Sequence, residues 1–157
     1  CPCGYYGDPI QPCSCSAYVR EKYWAKLSGP LMDRIDLQVT VNRLKPEEMT
    51  KQETGEPSAV IRKRVITARE KARDRFQQEG NISHNAQMQS QQLRKYCQLD
   101  DTSRTLLENA IRKLGLSARA MDRILKVART IADLADAESI EPSHIAEAIQ
   151  YRALDRA

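Results

Sequence analysis

Four of the five cysteines lie within the first fifteen residues, in two pairs that each have one residue between the partners. The pairs are Cys1 with Cys3 and Cys13 with Cys15, and glycine and proline turn formers lie between them. Four thiolates this close can converge on one tetrahedral Zn²⁺ with bonds of about 2.3 Å. The spacing therefore predicts a structural zinc site. The usual knuckle has two residues between its cysteines, so four reduced thiols in a loop and a disulfide framework stay open as alternatives.

Other nucleophiles and bases are sparse. The two histidines, His84 and His144, lie in a polar loop and at a helix start, where we expect solvated side chains. Cys97 is far from the other cysteines, and we expect it to be a small buried apolar side chain. No glycine is followed by lysine, which excludes a phosphate loop within these 157 residues, and no hydrolase elbow or zinc-protease motif occurs. These absences argue against a free-standing hydrolase.

Two arginines are candidates for binding anions. Arg34 lies among apolar neighbours, and its spacing alone indicates an ordinary surface charge. Arg119 lies in the first turn of a long predicted helix, an end where the helix dipole favours anions over cations. A phosphate nearby would reverse that effect, because helix N-termini bind phosphate. Arg119 is therefore the stronger candidate on local grounds.

The elements that position these residues change in character along the chain. Residues 1–41 contain the cysteines, and their predicted elements are a short helix from Tyr18 to Leu27, a helical turn at Leu31–Ile35 and a strand at Leu37–Val41. A single strand is not stable without partners, so we expect its neighbours to lie upstream of Cys1. Residues 42–57 form a polar linker that contains Pro46.

Residues 58–157 are predicted to form a helical bundle, which makes the fold class mainly α. The predicted helices are about Ser58–Gln78, Ser90–Tyr96, Asp101–Leu114, a long helix from the cap Ser117 to Asp136, and a last one from Pro142 that reaches Leu154. Ser58 is the expected N-cap of the first helix, and Gly115 is expected to end the third. Along the first helix the apolar stripe contains Ile61, Val65, Ala68, Ala72 and Phe76.

Positive charge is concentrated on that first long helix. The whole chain has a formal net charge of +4, whereas the helix alone carries seven basic residues against two acidic ones. Four of these basic residues, Arg62, Lys63, Arg64 and Arg69, are candidates for contacts with nucleic-acid phosphates. No aromatic residue is interleaved to stack on bases, so a solvated face is the open alternative.

The chain contains no apolar run of the roughly 18 residues that a membrane span requires. We therefore expect no membrane partner and a cytoplasmic location. The chain also begins without methionine, inside a cysteine motif, and we expect it to be a piece of a longer protein.

Several runs of residues match a known family. They are CPCGYYGDP at Cys1–Pro9, CSCS at Cys13–Ser16, SGPLMDRIDL at Ser28–Leu37, GLSAR at Gly115–Arg119 and VARTIADL at Val127–Leu134. These runs resemble the magnesium-chelatase-like AAA+ ATPases of the YifB/ComM family, and the resemblance extends from Cys1 to Arg156. It implies the end of an ATPase core followed by a C-terminal helical lid, with the phosphate loop upstream of Cys1.

The resemblance also implies roles for single residues. Arg34 matches the position of an arginine finger that acts on a neighbouring subunit, and Arg119 matches the sensor-2 arginine that contacts ATP phosphate. Arg123 and Arg129 are weaker candidates whose expected role is structural, and Asp33 and Asp36 are expected to cap or orient their neighbours.

At the level of the whole protein, the resemblance implies a hexamer that binds ATP with Mg²⁺ and drives branch migration of DNA during recombination of incoming strands. This stretch alone would not hydrolyse ATP, because it lacks a phosphate loop. Two other functions stay open: a stand-alone zinc-dependent nucleic-acid-binding module, and the motor subunit of a metal chelatase. The cysteine motif argues against the chelatase motor, and the unpaired strand argues against the stand-alone module.

Overall fold

The computed structural model of this chain describes residues 1–41, 43, 44, 49, 50 and 55–152. Contacts divide the chain into two compact units. The cysteine unit comprises Cys1–Ile35 and Val39–Gly55, and the helical unit comprises Asp36–Gln38 and Glu56–Ala157. Pro46 of the predicted linker and Leu154 of the last predicted helix lie outside the described residues.

The cysteine unit has two short helices, α1 (Ala17–Trp24) and α2 (Gly29–Met32). Each begins at a serine cap: Ser16 Oγ accepts the N–H of Val19 at 3.4 Å, and Ser28 Oγ accepts the N–H of Leu31 at 3.3 Å. None of the residues described for this unit is buried. Apolar burial therefore does not hold its loops and helices together.

The strand predicted at Leu37–Val41 is absent, and this prediction was wrong. The alternation of apolar residues is real, but Leu37 and Val39 are exposed while Gln38 between them is buried. Within the described ranges, the bridge between Leu99 and Ile140 is the one β-type pairing, and it is isolated. A strand requires a paired neighbour, and the described residues supply none for this run.

The helical unit confirms the predicted bundle. Its helices are α3 (Ser58–Arg75), α4 (Ser90–Tyr96), α5 (Asp101–Leu114), α6 (Ala118–Leu134) and α7 (Pro142–Gln150), with a 3₁₀ turn at Asn85–Gln87. α6 is the central element and packs against α3, α4, α7 and the 3₁₀ turn, while α5 packs against α7.

Three helix ends follow the sequence signals, and one does not. Ser117 Oγ accepts the N–H of Ala120 at 3.1 Å at the start of α6. Gly115 ends α5 with φ of 62°, a left-handed conformation that glycine adopts at little cost. Pro142 lies in the first turn of α7. Ser58, however, is the first helical residue of α3, and no side chain caps that end.

The core gathers around α6. Its largest fully buried apolar side chains are Phe76, Met88, Ile124 and Ile145. On α3 the predicted stripe is buried at Ala68, Ala72 and Phe76 but is 40% exposed at Ile61 and 41% exposed at Val65. The first helix therefore buries its stripe only through its C-terminal half. Among the residues described, no helix is both long and apolar enough to cross a membrane.

Candidate functional site

The four N-terminal cysteines converge as their spacing predicts. Their Sγ atoms all lie within 4.8 Å of one another. The separations are 3.4 Å for Cys1–Cys3, 3.5 Å for Cys3–Cys13 and 3.7 Å for Cys1–Cys13. A tetrahedron with metal–sulfur bonds of about 2.3 Å has edges of about 3.8 Å, so the sulfurs are spaced to hold one ion. They are far beyond the disulfide bond length of about 2.05 Å, and all four thiols are free.

Local backbone geometry shapes this cluster. Gly4 and Gly7 both have positive φ, at 85° and 82°, which turns the chain between the two cysteine pairs. The N–H of Tyr6 donates to Cys1 Sγ at 3.2 Å. The backbone N–H of Tyr5 lowers the pKa of Cys3 to about 6. A metal-binding thiolate is therefore available near neutral pH.

Arg20 on α1 supports the second cysteine pair from outside. Its guanidinium donates to the carbonyl oxygen of Cys15 at 2.6 Å and lies 4.8 Å from the ring centroid of Tyr6. This side chain joins the helix to both halves of the cysteine loop. The sequence offered no signal for this role, because a lone arginine on a short helix is ordinarily a surface charge.

Arg34 lies in the turn that follows α2. Its N–H donates to the carbonyl oxygen of Leu31 at 3.0 Å, which continues the helical turn, and its side chain is exposed. Across the described residues, no hydrogen bond or ion pair engages the Arg34 guanidinium. The side chain is thus available to a ligand or another protein chain.

Arg119 lies in the first turn of α6, as predicted, and that turn contains no acidic residue. Its side chain is exposed and has no polar partner within the part of the chain that the structure describes. The helix dipole disfavours a cation at this end, and the first turn has no carboxylate to offset it. An anion at this position would be favoured by both the guanidinium and the helix N-terminus.

The two weaker candidates on α6 make protein contacts. Arg123 forms an ion pair with Asp36. Arg129 is 3% exposed; it pairs with Asp133 at 3.1 Å and donates to the carbonyl oxygens of Ala137 and Glu138 at 2.9 Å. These contacts fit the structural roles expected of both arginines.

The basic face of α3 is smaller than its composition indicates. Arg64 pairs with Glu56 at 2.9 Å, Arg75 pairs with Asp133 in the last turn of α6, and Lys71 pairs with Asp136 just after that helix. The pairing raises the pKa of Arg64. Arg62, Lys63 and Arg69 remain exposed without a polar partner in the ranges described. Arg64 therefore differs from the three other predicted phosphate contacts.

His144 departs from the sequence prediction. It was expected to be solvated, but it is 7% exposed, and its Nδ1 accepts the N–H of Glu141 at 3.0 Å. The imidazole acts as a helix cap at the third position of α7, where a glutamate or glutamine is the usual residue. His84 is exposed, as expected. Cys97 is buried, and burial raises its pKa to about 12, which confirms its apolar role.

Family models cover most of the chain. Residues 55–152 match the model described as "Magnesium chelatase, subunit ChlI C-terminal", and residues 1–49 match "Magnesium chelatase, subunit ChlI". The boundary between the two matches falls close to the end of the cysteine unit.

Three curated relatives align with nearly all of this chain. "Uncharacterized protein YifB" of Escherichia coli is 38% identical over 156 residues, 99% of this chain. "Competence protein ComM" of Haemophilus influenzae is 40% identical over the same length. "Uncharacterized protein Mb2921c" of Mycobacterium bovis is 37% identical over 152 residues, 97% of this chain. In each case the alignment spans 29% of the relative's own length. The chain therefore belongs to the magnesium-chelatase-like family of YifB and ComM.

Proposed function

We propose that this chain supplies the arginine finger and the helical lid of an ATP-hydrolysing AAA+ motor. The observation that carries the proposal is that the side chains of Arg34 and Arg119 are exposed and have no polar partner among the described residues. Both lie at the positions that the family resemblance assigns to phosphate contacts, and both are exposed. Neither has a hydrogen-bond or ion-pair partner among the residues described. An exposed guanidinium without a carboxylate partner among the described residues keeps all of its N–H donors for a phosphate.

In this proposal Arg34 acts on the nucleotide of a neighbouring subunit. Phosphoryl transfer spreads negative charge over the oxygens of the transferred group, and a guanidinium stabilises that charge through two parallel N–H bonds. The Arg34 side chain is exposed in the turn that follows α2. The motor is therefore an oligomer, and we propose the hexamer typical of related motors.

Arg119 contacts ATP phosphate from the lid. Its place in the first turn of α6 combines its own charge with backbone N–H groups that point in the same direction. α6 is the central helix of the unit and packs against α3, α4 and α7. A shift of α6 on phosphate binding would therefore displace these three helices as well. Nucleotide binding would in this way be coupled to the position of the lid. ATP would be bound with Mg²⁺, mainly by residues outside this chain.

We assign a structural Zn²⁺ to Cys1, Cys3, Cys13 and Cys15. Four thiolate ligands close the coordination shell, so the ion would have no open position for a water or substrate. The cysteine unit has no buried residue among those described, so the metal would take the place of an apolar core.

The third part of the proposal is DNA. The name of the relative ComM connects that protein with competence. For this chain we propose a motor that drives branch migration during recombination of incoming strands, acting in the cytoplasm. The exposed cations Arg62, Lys63 and Arg69 on α3 are the proposed phosphate contacts. Arg64 would contribute less to DNA binding, because its guanidinium already forms an ion pair with Glu56.

A second candidate function is a zinc-dependent nucleic-acid-binding module. It is favoured by the separate contact unit that the cysteines form. A third, the motor subunit of a metal chelatase, is favoured by the description of the matching family models.

One experiment separates these functions in the full-length protein that contains this chain. ATP hydrolysis is measured with and without branched DNA, together with branch migration and metal insertion into a porphyrin. DNA-stimulated hydrolysis with strand movement supports the motor. DNA binding without hydrolysis would establish the binding module instead, and metal insertion would establish the chelatase motor.

A further inference from the structure

We propose that the ion pair between Asp36 and Arg123 fixes Asp36, two residues after Arg34 in the chain, to the lid helix, so that movement of α6 repositions Arg34. This inference rests on the proposed function, because it assigns Asp36 and Arg123 as positioning residues for the hydrolysis in which Arg34 would act.

The first observation is where the chain joins the helical unit. Asp36–Gln38 is a three-residue insertion into that unit, whereas the residues before and after it belong to the cysteine unit. Contacts inside the helical unit hold the insertion, and two of them involve Asp36 and Gln38. Asp36 pairs with Arg123 on α6, and the N–H of Gln38 donates to the carbonyl oxygen of Tyr151 at 2.8 Å. Asp36–Gln38 is thus fixed both to α6 and to the residue that ends α7.

The second observation is the position of Arg123 on its helix. It follows Arg119 by four residues, so both side chains lie on the same side of α6, one turn apart. A phosphate held at Arg119 and a carboxylate held at Arg123 would therefore act on the same short stretch of helix.

The third observation is the dependence of Arg123 on its partner. The Asp36 side chain is 41% exposed and that of Arg123 is 27% exposed, so water screens this pair less than it screens a fully exposed one. The Nε of Arg123 is buried without a hydrogen-bond partner in the described part of the chain. Removal of the Asp36 charge would leave a partly buried guanidinium with little compensation.

The fourth observation is distance along the chain. Arg34 precedes Asp36 by two residues, and a fully extended chain spans at most about 3.6 Å per residue. A displacement of Asp36 must therefore be absorbed within about 7 Å of chain or be passed on to Arg34. A link this short is suited to transmit lid movement to the finger.

The test uses Asp36→Asn, Arg123→Gln and the charge-exchanged double variant Asp36→Arg with Arg123→Asp, all in the full-length protein. Each single variant should lower kcat for ATP hydrolysis by tenfold or more and change KM by less than threefold. The double variant should recover most of the lost kcat. Glu108→Gln is the matched control, because it removes an exposed lid ion pair with Arg112 on α5 and should leave kcat unchanged.

Three results would overturn the inference: single variants with normal kcat, single variants that raise KM alone, or a double variant that regains thermal stability without regaining kcat. Arg34→Ala in the same assay separates the two proposals. If Arg34→Ala retains hydrolysis, the proposed function fails and this inference fails with it. If Arg34→Ala abolishes hydrolysis while Asp36→Asn does not reduce it, the positioning role alone is wrong.

Discussion

Asp133 and Arg75, which are 58 residues apart in sequence, form a two-point ion pair that joins α6 to α3. Burial raises the pKa of Asp133, but hydrogen bonds from Arg75 and Asn85 and the charge of Arg129 outweigh it, and the pKa is lowered overall. Two arginines thus share one carboxylate that is 2% exposed. The pair fixes the C-terminal end of α3 on the central helix.

Asp133→Ala should destabilise the helical unit by about 3–5 kcal/mol, because it leaves the buried guanidinium of Arg129 and the half-buried one of Arg75 without their shared carboxylate. The loss is measured by urea denaturation followed by helical circular dichroism. Glu108→Ala removes an exposed pair on α5 and should change stability by less than about 1 kcal/mol. Equal effects of the two substitutions would show that the buried pair has no special role.

Glu79 should make the helical unit less stable at low pH. Hydrogen bonds from Lys95, Tyr96 and Gln92 lower the pKa of Glu79 to about 2. In the unfolded chain a glutamate has a pKa near 4.3. The contribution of Glu79 to the unfolding free energy is therefore complete above about pH 4.3. It is lost as the pH falls toward 2.

The measurement is the unfolding free energy of wild type and Glu79→Gln between pH 6 and pH 2. The difference in unfolding free energy between the two proteins should shrink as the pH falls. Protonation of Glu79 removes from the wild type the stabilisation by a charged carboxylate that Glu79→Gln already lacks. A difference that stays constant across this range would contradict the assigned pKa. Glu108→Gln, which lacks these three contacts, serves as the control.

The cysteine unit should require metal. We expect about one equivalent of zinc in the reduced, folded chain and loss of the structure of this unit on chelation, while the helical unit stays folded. Cys13→Ser should lose the metal, whereas Cys97→Ala should keep it, because Cys97 is buried in the helical unit. A folded, reduced sample without zinc would remove the claim.

Arg119→Ala should weaken the coupling between nucleotide and lid. A charged hydrogen bond contributes about 1.5–3 kcal/mol, so we expect nucleotide affinity in the full-length protein to fall by tenfold or more. Assembly should no longer respond to ATP. Arg112→Ala, an exposed arginine near the other end of the α5–α6 connection, should have little effect. An unchanged ATPase rate together with unchanged affinity would contradict the sensor role.

Local signals predicted much of this fold. The bounds of α4 and α5, the Ser117 cap and the left-handed Gly115 follow from residues within a few positions of each feature. The convergence of four cysteines also follows from short spacing, because only turns separate them.

Long-range relationships were not predictable in the same way. The bond between Asp133 and Arg75 depends on how α3 and α6 pack, and no local pattern contains that information. The four-residue spacing of Arg129 and Asp133 was the available hint of a pair on α6. The predicted strand failed because alternation describes a side-chain pattern and not the presence of a partner. The predicted burial of Ile61 and Val65 was wrong for a related reason. An apolar stripe on a helix does not reveal how far along it the neighbouring helices pack.

The central claim is that Arg34 acts on ATP, and ATP hydrolysis by Arg34→Ala in the full-length protein tests it most directly. Arg43→Ala is the control, since Arg43 is an exposed arginine of the same cysteine unit. We predict that Arg34→Ala lowers kcat by about 10³-fold or more and leaves ATP binding largely intact, while Arg43→Ala retains activity. Turnover by Arg34→Ala within a few-fold of the wild type would contradict the account.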